Sequence, residues 1–399
     1  MKRKILNLAL LLIAGVFALS SCGEEKVKSY PLDLKFTTAS DVTASDVKDL
    51  VVIITGETSS DTLKLEAIRE TSVTLPQGNY NVTVNGKING QATAQVQGTA
   101  TVSLYKEEAL TVNLSLFYSS PLVFKTIFCS GGAQYYVLDS YVEIVNNSDE
   151  VQYLDGLVLV ACLANLKAQS VWQEAYPTKY QCGQGTVIAF PGNGKQYPIQ
   201  PGEFVIMADQ AMNHKLAYGA DESKKDEYAK SPDLSKANFE KYYGNGDVDN
   251  EAVPNMEVVY SNNKNMKMWA FGAAGRAFFL VKLPEGMTPS QFAADENNFS
   301  TTPGSSSTML NMIVPNEYVL DAVDVYQNGV ALSEHYPFFL PKDDASGIEA
   351  PQSYAGKCVR RKVSKIEGGR VYYQDTNNSS VDFKSNQDNT PGLVPTSVD

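Results

Sequence analysis

Val73-Thr74-Leu75-Pro76-Gln77-Gly78-Asn79-Tyr80-Asn81-Val82-Thr83-Val84 is the stretch that decides the class of fold. On both sides of a Pro-x-Gly turn signal, apolar and polar residues alternate with period two, the period of a half-buried strand. Pro76 cannot donate to a ladder, so the segment predicts strand, turn, strand, with Tyr80 returning to the core. The pattern continues outward. Leu32-Asp33-Leu34-Lys35-Phe36 alternates, and Leu50-Val51-Val52-Ile53-Ile54 is a β-branched run that predicts a strand buried on both faces. Asn85-Gly86 predicts a further turn. Ala92 to Val102 is rich in Thr, Ala and Val, and Leu110, Val112, Leu114 and Leu116 alternate cleanly. About seven or eight short strands over 32–117 predict a β-sandwich.

The step Leu75-Pro76-Gln77-Gly78-Asn79-Tyr80 resembles the hairpin of immunoglobulin-like and transthyretin-like accessory domains, which implies a spacer role for this front domain. Tyr118-Ser119-Ser120-Pro121 interrupts the pattern and marks a boundary. Beyond it stand Tyr141-Val142-Glu143-Ile144-Val145-Asn146, then Leu154-Asp155-Gly156, then Pro201-Gly202-Glu203 before Phe204-Val205-Ile206-Met207-Ala208. Further β blocks are Ala277-Phe278-Phe279-Leu280-Val281, Tyr318-Val319-Leu320-Asp321-Ala322-Val323-Asp324 and Lys357-Cys358-Val359-Arg360-Arg361. Asp382-Phe383 and Thr390-Pro391-Gly392 close the series. In order, the blocks resemble the lamin-tail domain, an immunoglobulin-like β-sandwich. The resemblance is carried by Glu143, Asn146, Leu154, Gly156, Pro201, Gly202, Glu203, Arg360, Asp382, Phe383 and Thr390-Pro391-Gly392. It implies a mainly β chain of two sandwich domains, 32–117 and 122–394, the second lamin-tail-like and carrying a long mixed insertion at about 209–317. Long irregular insertions on a rigid sandwich are where function tends to sit.

The start of the chain gives an address. Met1-Lys2-Arg3-Lys4 is basic, Ile5 to Leu19 is almost purely apolar, and Leu19-Ser20-Ser21-Cys22 follows. The apolar run is shorter than the roughly 20 residues a spanning helix needs, so 1–21 reads as a signal peptide and 22–31 as a tether. Leu19-Ser20-Ser21-Cys22 resembles the lipobox of bacterial lipoproteins, which implies a lipid on Cys22. Acyl chains stabilise anchoring by about 0.8 kcal/mol per buried methylene, enough to hold a multiply acylated protein without a transmembrane helix. The acidic Gly23-Glu24-Glu25-Lys26 resembles the surface-export signal of Bacteroidota-type lipoproteins and implies an outer membrane location facing the cell exterior. The whole arrangement is similar to an uncharacterised family of such surface lipoproteins. Its members often accompany outer-membrane receptors for nutrient uptake, which implies such a receptor as a partner.

Composition narrows the partners. The 399-residue chain carries a net charge of −12, and loss of Lys2, Arg3 and Lys4 makes it more negative still. Such a protein is a poor partner for nucleic acid. Outside Cys22 there are four cysteines, Cys129, Cys162, Cys182 and Cys358, open to either disulfide pairing or simple burial as apolar residues. The absence of CxxC and the presence of only two histidines argue against a zinc site.

Candidate contact residues are aromatic. Trp172, Tyr176 and Tyr180 cluster before Cys182, and Trp269 stands in Met266-Lys267-Met268-Trp269. Exposed, they could stack on a glycan or small ligand or anchor a protein; buried, they are core. Asp247, Asp249 and Glu251 offer oxygens of the kind Ca2+ takes, although the EF-hand pattern fails at Ala252 and Val258. His214 could pair with Asp209, and His335 lies in a loop. No GxSxG elbow, phosphate loop or HExxH helix occurs. The expected function is therefore a non-enzymatic surface lipoprotein that binds a ligand or an outer-membrane partner. The alternative is a hydrolase of glycan or peptide with its site in 209–317.

Overall fold

The computed structural model describes residues 27–40, 42–56, 59–89, 94–183, 186–244, 247–261, 269 and 275–399. The signal peptide, Cys22 and the acidic residues after it lie outside the described residues. Contacts divide the chain into two compact units, Met1–Phe117 and Tyr118–Asp399. Both are built mainly of strands, and among the described residues no helix is long and apolar enough to cross a membrane.

In the first unit the strands run in the order Ser60–Ala67, Val47–Gly56, Gly78–Ile88, Ala94–Leu104, Glu108–Tyr118, Ser29–Thr38, Thr71–Pro76. They wrap one core that holds Leu32, Leu34, Leu50, Val52, Ile54, Tyr80, Val82, Val84, Val112 and Leu114. The run Leu50–Ile54 is not buried on both faces as expected. Leu50, Val52 and Ile54 point inward while Val51 and Ile53 are half-buried, because a strand's side chains alternate between faces and only one face here has a partner layer.

The Pro-x-Gly step also departs from expectation. Thr71–Pro76 pairs with Ser29–Thr38, whereas Gly78–Ile88 pairs with Val47–Gly56 and Ala94–Leu104. The two strands are therefore not a hairpin; the step is a corner that carries the chain from the sheet's edge to its middle. Tyr80 closes that corner from the core, donating its hydroxyl to the Pro76 carbonyl at 2.7 Å. Asn85-Gly86 is not a turn either, since both residues lie inside Gly78–Ile88. Gly86 is there for clearance: a Cβ on it would sit 3.1–3.3 Å from Val96, Val47 and Leu50.

The second unit stacks two six-stranded sheets. One runs Glu257–Ser261, Thr186–Ala189, Val158–Leu163, Arg276–Val281, Val319–Tyr326, Ile348–Glu349. The other runs Phe239–Glu240, Phe204–Ala208, Tyr141–Asn146, Leu122–Phe128, Lys357–Arg361, Phe383–Asp388. Phe124, Ile127, Val142 and Ile144 of the second meet Leu159, Phe278, Leu280 and Val323 of the first in the central core. The outer faces are covered too. Ala277, Phe279 and Val281 pack under Tyr180, Met312, Val314, Phe338 and Phe339, while Val123 and Val145 pack under the Val363–Glu367 and Arg370–Tyr373 hairpin. Double coverage explains why Leu122–Phe128, Tyr141–Asn146 and Arg276–Val281 are buried along their whole length. It also revises the expected insertion at 209–317. Arg276–Val281 is an interior strand of the first sheet and Glu257–Ser261 its edge, so part of that segment is framework.

Residues that carried the lamin-tail resemblance hold this framework together. The Glu143 carboxylate accepts from Lys125 Nζ, Thr126 Oγ1 and the Gly392 amide, each at 2.6 Å, and so ties the Thr390-Pro391-Gly392 turn to an interior strand. Asn146 Nδ2 donates to the Glu150 and Ile199 carbonyls at 2.7 and 2.9 Å. The buried arginine of the Lys357–Arg361 strand is Arg361, not Arg360: its neighbour faces the other way and is half-buried. Cys129, Cys162, Cys182 and Cys358 are free thiols, all buried. Burial pushes the Cys129 thiol up to about 12, so it is inert as a nucleophile at neutral pH.

Candidate functional site

An aromatic cleft forms on the outer face of the second unit, where the chain between Leu163 and Thr186 meets the loop 336–341. Helix Val171–Ala175 supplies one wall. It is only five residues long and depends on its cap: Ser170 Oγ accepts from the Gln173 amide while Gln173 Oε1 accepts from the Ser170 amide. Gln173 then donates from Nε2 to the Pro337 and Phe338 carbonyls at 2.8 and 3.0 Å, which locks the helix to the opposite wall. Trp172 on the helix and Tyr176 at its C-cap stack with ring centroids 5.9 Å apart. Tyr176 is fixed further by a 2.7 Å hydrogen bond between its hydroxyl and Ser300 Oγ.

Tyr180 forms the floor. It sits on strand Lys179–Gln181, buried against Phe279, Phe338 and Phe339 at 6.1, 5.9 and 5.2 Å. Its hydroxyl donates to Asp343 Oδ2 at 2.5 Å and accepts from the Leu340 amide at 2.9 Å. Burial raises the Asp343 carboxyl above the ordinary range, opposed by its bonds to Lys342 and Tyr180. Beneath the loop, Asp324 Oδ2 bonds His335 Nε2 at 2.8 Å and the Phe338 amide at 2.9 Å, and the His335 ring stacks on Tyr326. The result is an open cleft of about 330 Å³ whose rim carries exposed Pro177, Pro337, Leu340 and Pro341. The hydroxyls of Tyr176 and Tyr180 and the amide of Gln173 are already engaged within the protein. Such a lining selects by shape and apolar contact.

Of the expected contact residues, Tyr176 and Tyr180 line the cleft, with Tyr180 as floor rather than surface, whereas Trp172 does not line it and stacks on Tyr176. Trp269 does not join them. It is 2 % exposed, packs edge-on against Phe278, and belongs to the central core. The signal missed in the sequence is the second wall: Tyr336-Pro337-Phe338-Phe339-Leu340-Pro341 is apolar and proline-bounded, but it lies about 160 residues from the helix it meets.

The acidic turn does not assemble the oxygen set that Ca2+ needs. Asp247 is engaged by Gln210 Nε2, Lys241 Nζ and the Tyr243 and Val248 amides at 2.9–3.1 Å. Asp249 accepts from Asn255 Nδ2, and Glu251 is exposed. Among the described residues no group of three or more His, Cys, Asp or Glu side chains is placed to hold a metal ion. The expected His214–Asp209 pair is also not formed: Asp209 bonds Lys241 at 3.0 Å and the Trp269 amide at 3.0 Å. Glu240 is taken up by the Ala211 and Asn250 amides. Asp209, Glu240 and Asp247 therefore serve the fold.

His214 is structural and gives a pH test. Its Nε2 donates to the Gln210 carbonyl at 2.9 Å, leaving Nδ1 to accept from the Tyr136 hydroxyl at 2.6 Å. Burial lowers it from 6.5 to about 4. The unfolded chain then binds the proton first, so the stability His214 contributes is present above pH 6.5 and is lost as pH falls toward 4. Relative to His214→Gln, the native protein should lose up to about 3 kcal/mol over that window, read from urea midpoints at each pH. Parallel pH profiles for the two proteins would contradict this assignment.

Residues 200–390 match the family described as a protein of unknown function (DUF4876). The match spans the 209–317 segment. The crystal structure of a DUF4876 family protein from Bacteroides thetaiotaomicron is similar at 26% identity, covering 92% of this chain and 99% of that one with a TM-score of 0.58. Two others are distant. A DUF3823 family protein from Parabacteroides merdae shares 10% identity over 35% of this chain and 68% of that one, with a TM-score of 0.17. The fimbrial anchor protein Mfa2 from Porphyromonas gingivalis shares 11% over 45% of this chain and 78% of that one, with a TM-score of 0.18. No curated protein matches the chain.

Proposed function

We propose that this chain is a lipid-anchored, non-enzymatic binding protein of the outer surface, and that its aromatic cleft takes an apolar segment of an outer-membrane partner. One observation carries the reading: a rigid cleft of about 330 Å³ with an exposed proline–leucine rim, whose central polar side chains are already satisfied within the protein. A cleft of that kind has apolar contact to offer and little to hold a reacting group in place. The anchor rests on Leu19-Ser20-Ser21-Cys22 and the surface position on Gly23-Glu24-Glu25-Lys26. A receptor for nutrient uptake is the partner class that the family resemblance suggests.

Anchoring has a direct test. Cys22→Ala should move the protein from the membrane to the soluble fraction and abolish fatty-acid labelling, while the native protein should be cut by protease added to intact cells. A variant that stays membrane-bound and labelled contradicts the lipid anchor. Protection of the native protein in intact cells contradicts the outward face. For the cleft, Tyr176→Ala should abolish partner capture with the fold retained.

A further inference from the structure

We infer that Tyr135 and Tyr354 form a second binding site, one that takes a ring of a neutral saccharide. The site is independent of the aromatic cleft. Among the described residues five that are not glycine have positive φ: Asp49, Tyr135, Tyr354, Asn377 and Asn386. Aspartate and asparagine tolerate this region because a short polar side chain can bond locally, whereas a tyrosine gains no such relief. Yet Tyr135 and Tyr354, at φ +59° and +60°, are neighbours, with ring centroids 5.9 Å apart and planes inclined at 60°.

The strain is held in place by a locked set of loops. The Tyr354 amide donates to the Ser130 carbonyl at 2.7 Å and the Gly356 amide to the Gly131 carbonyl at 3.1 Å. Asp139 Oδ2 accepts from the Gly132 amide and from Ser231 Oγ at 2.9 and 2.7 Å. Gly132 lies so close to Ser231 that a Cβ on it would come within 2.4 Å of the hydroxyl. On this base Tyr135 is 81 % exposed. Strained backbone and an exposed aromatic are two separate costs at one place, and packing accounts for neither.

The occupant follows from what surrounds the rings. Gln134, Gln352 and Ser353 are exposed and polar, so the apolar surface is about one ring wide. That is far short of the roughly 800 Å² per partner a stable protein interface buries. A chain of net charge −12 repels polyanions. A neutral pyranose fits: its C–H face lies on the exposed Tyr135 ring, with the inclined Tyr354 ring beside it, and its hydroxyls can be met by the two phenols, which have no hydrogen-bond partner among the described residues, and by the exposed side chains of Gln134, Gln352 and Ser353.

Calorimetric titration of the full chain with neutral malto-, manno-, cello- and xylo-oligosaccharides tests this. At least one should bind, Tyr135→Ala and Tyr354→Ala should each weaken it on the order of tenfold, and Trp172→Ala should leave it unchanged. Tyr135→Gly separates site from scaffold, because it removes the ring and the φ strain together. It should weaken binding to the same extent as Tyr135→Ala while leaving the thermal midpoint unchanged or higher. Failure of every saccharide to bind at millimolar concentration would overturn the proposal. So would binding that Tyr135→Ala does not affect, or a thermal midpoint that Tyr135→Gly lowers by several degrees.

Discussion

Arg361→Met should destabilise the second unit by about 3–5 kcal/mol, the largest single effect expected outside the tryptophan core. Arg361 comes from the Lys357–Arg361 strand of one sheet and bonds both oxygens of Asp321, on a strand of the other, at 2.8 and 2.6 Å. It donates from Nε to the Phe124 carbonyl at 2.6 Å and from Nη1 to Asp375 at 3.2 Å, with Asp382 at 3.8 Å. Its guanidinium lies 4.5 Å from the centre of the Phe383 ring. All four charged side chains are at most 3 % exposed. Removing the cation leaves three carboxylates in the interior with no charge partner, and they must take up protons or the sheets must part. The apolar methionine isolates that loss from the loss of volume. Both tryptophans belong to the second unit, so urea unfolding followed by tryptophan fluorescence reads that unit alone. Adding Asp321→Asn to Arg361→Met should recover part of the loss. A single-variant change below about 1 kcal/mol would mean that the arginine is not what joins the sheets.

Trp269→Ala should also cost about 3–5 kcal/mol, and Trp172→Ala only about 1. Trp269 fills the core between the sheets, and its amide is held by Asp209, so alanine leaves a cavity that packed strands close only in part. Trp172 is half-buried and stacks mainly on Tyr176. Thermal unfolding by circular dichroism should therefore rank the two variants far apart. Equal destabilisation would place Trp172 in the core.

The strand content of this chain was legible because its sheets enforce period two or full burial. Leu32-Asp33-Leu34 alternates on a strand with one covered face, and Ala277-Phe278-Phe279-Leu280-Val281 is continuous on a strand with two. Pairing was not legible. The Pro76-Gln77-Gly78 corner has the local chemistry of a hairpin, yet its flanking strands find different partners far away in sequence. Arg360 and Arg361 are identical side chains on adjacent positions of one strand, so parity decides which is buried, and parity is set by the partner layer.

The candidate site was half legible. Tyr176 and Tyr180 announce an aromatic wall through local spacing, with Trp172 four residues before Tyr176 and stacked on it. The facing wall is 336–341, joined by Gln173 and Tyr180 across a separation no local pattern reports. Trp269 was open in the sequence to either core or contact, and its ring packs against Phe278 in the core. Asp247 misled because an acidic turn looks the same whether its oxygens face water or a buried lysine.

The central claim, that the cleft holds a partner at the cell surface, is tested most directly by a photo-activated cross-linking side chain placed at Leu340, on the exposed rim. Irradiated on intact cells of the source bacterium, it should yield one discrete adduct with an outer-membrane protein. The adduct should vanish when Tyr176→Ala is added and should not form from the same group at Met287, exposed elsewhere on the unit. Adducts that are equal at Leu340 and Met287, or that persist undiminished with Tyr176→Ala, would contradict the account.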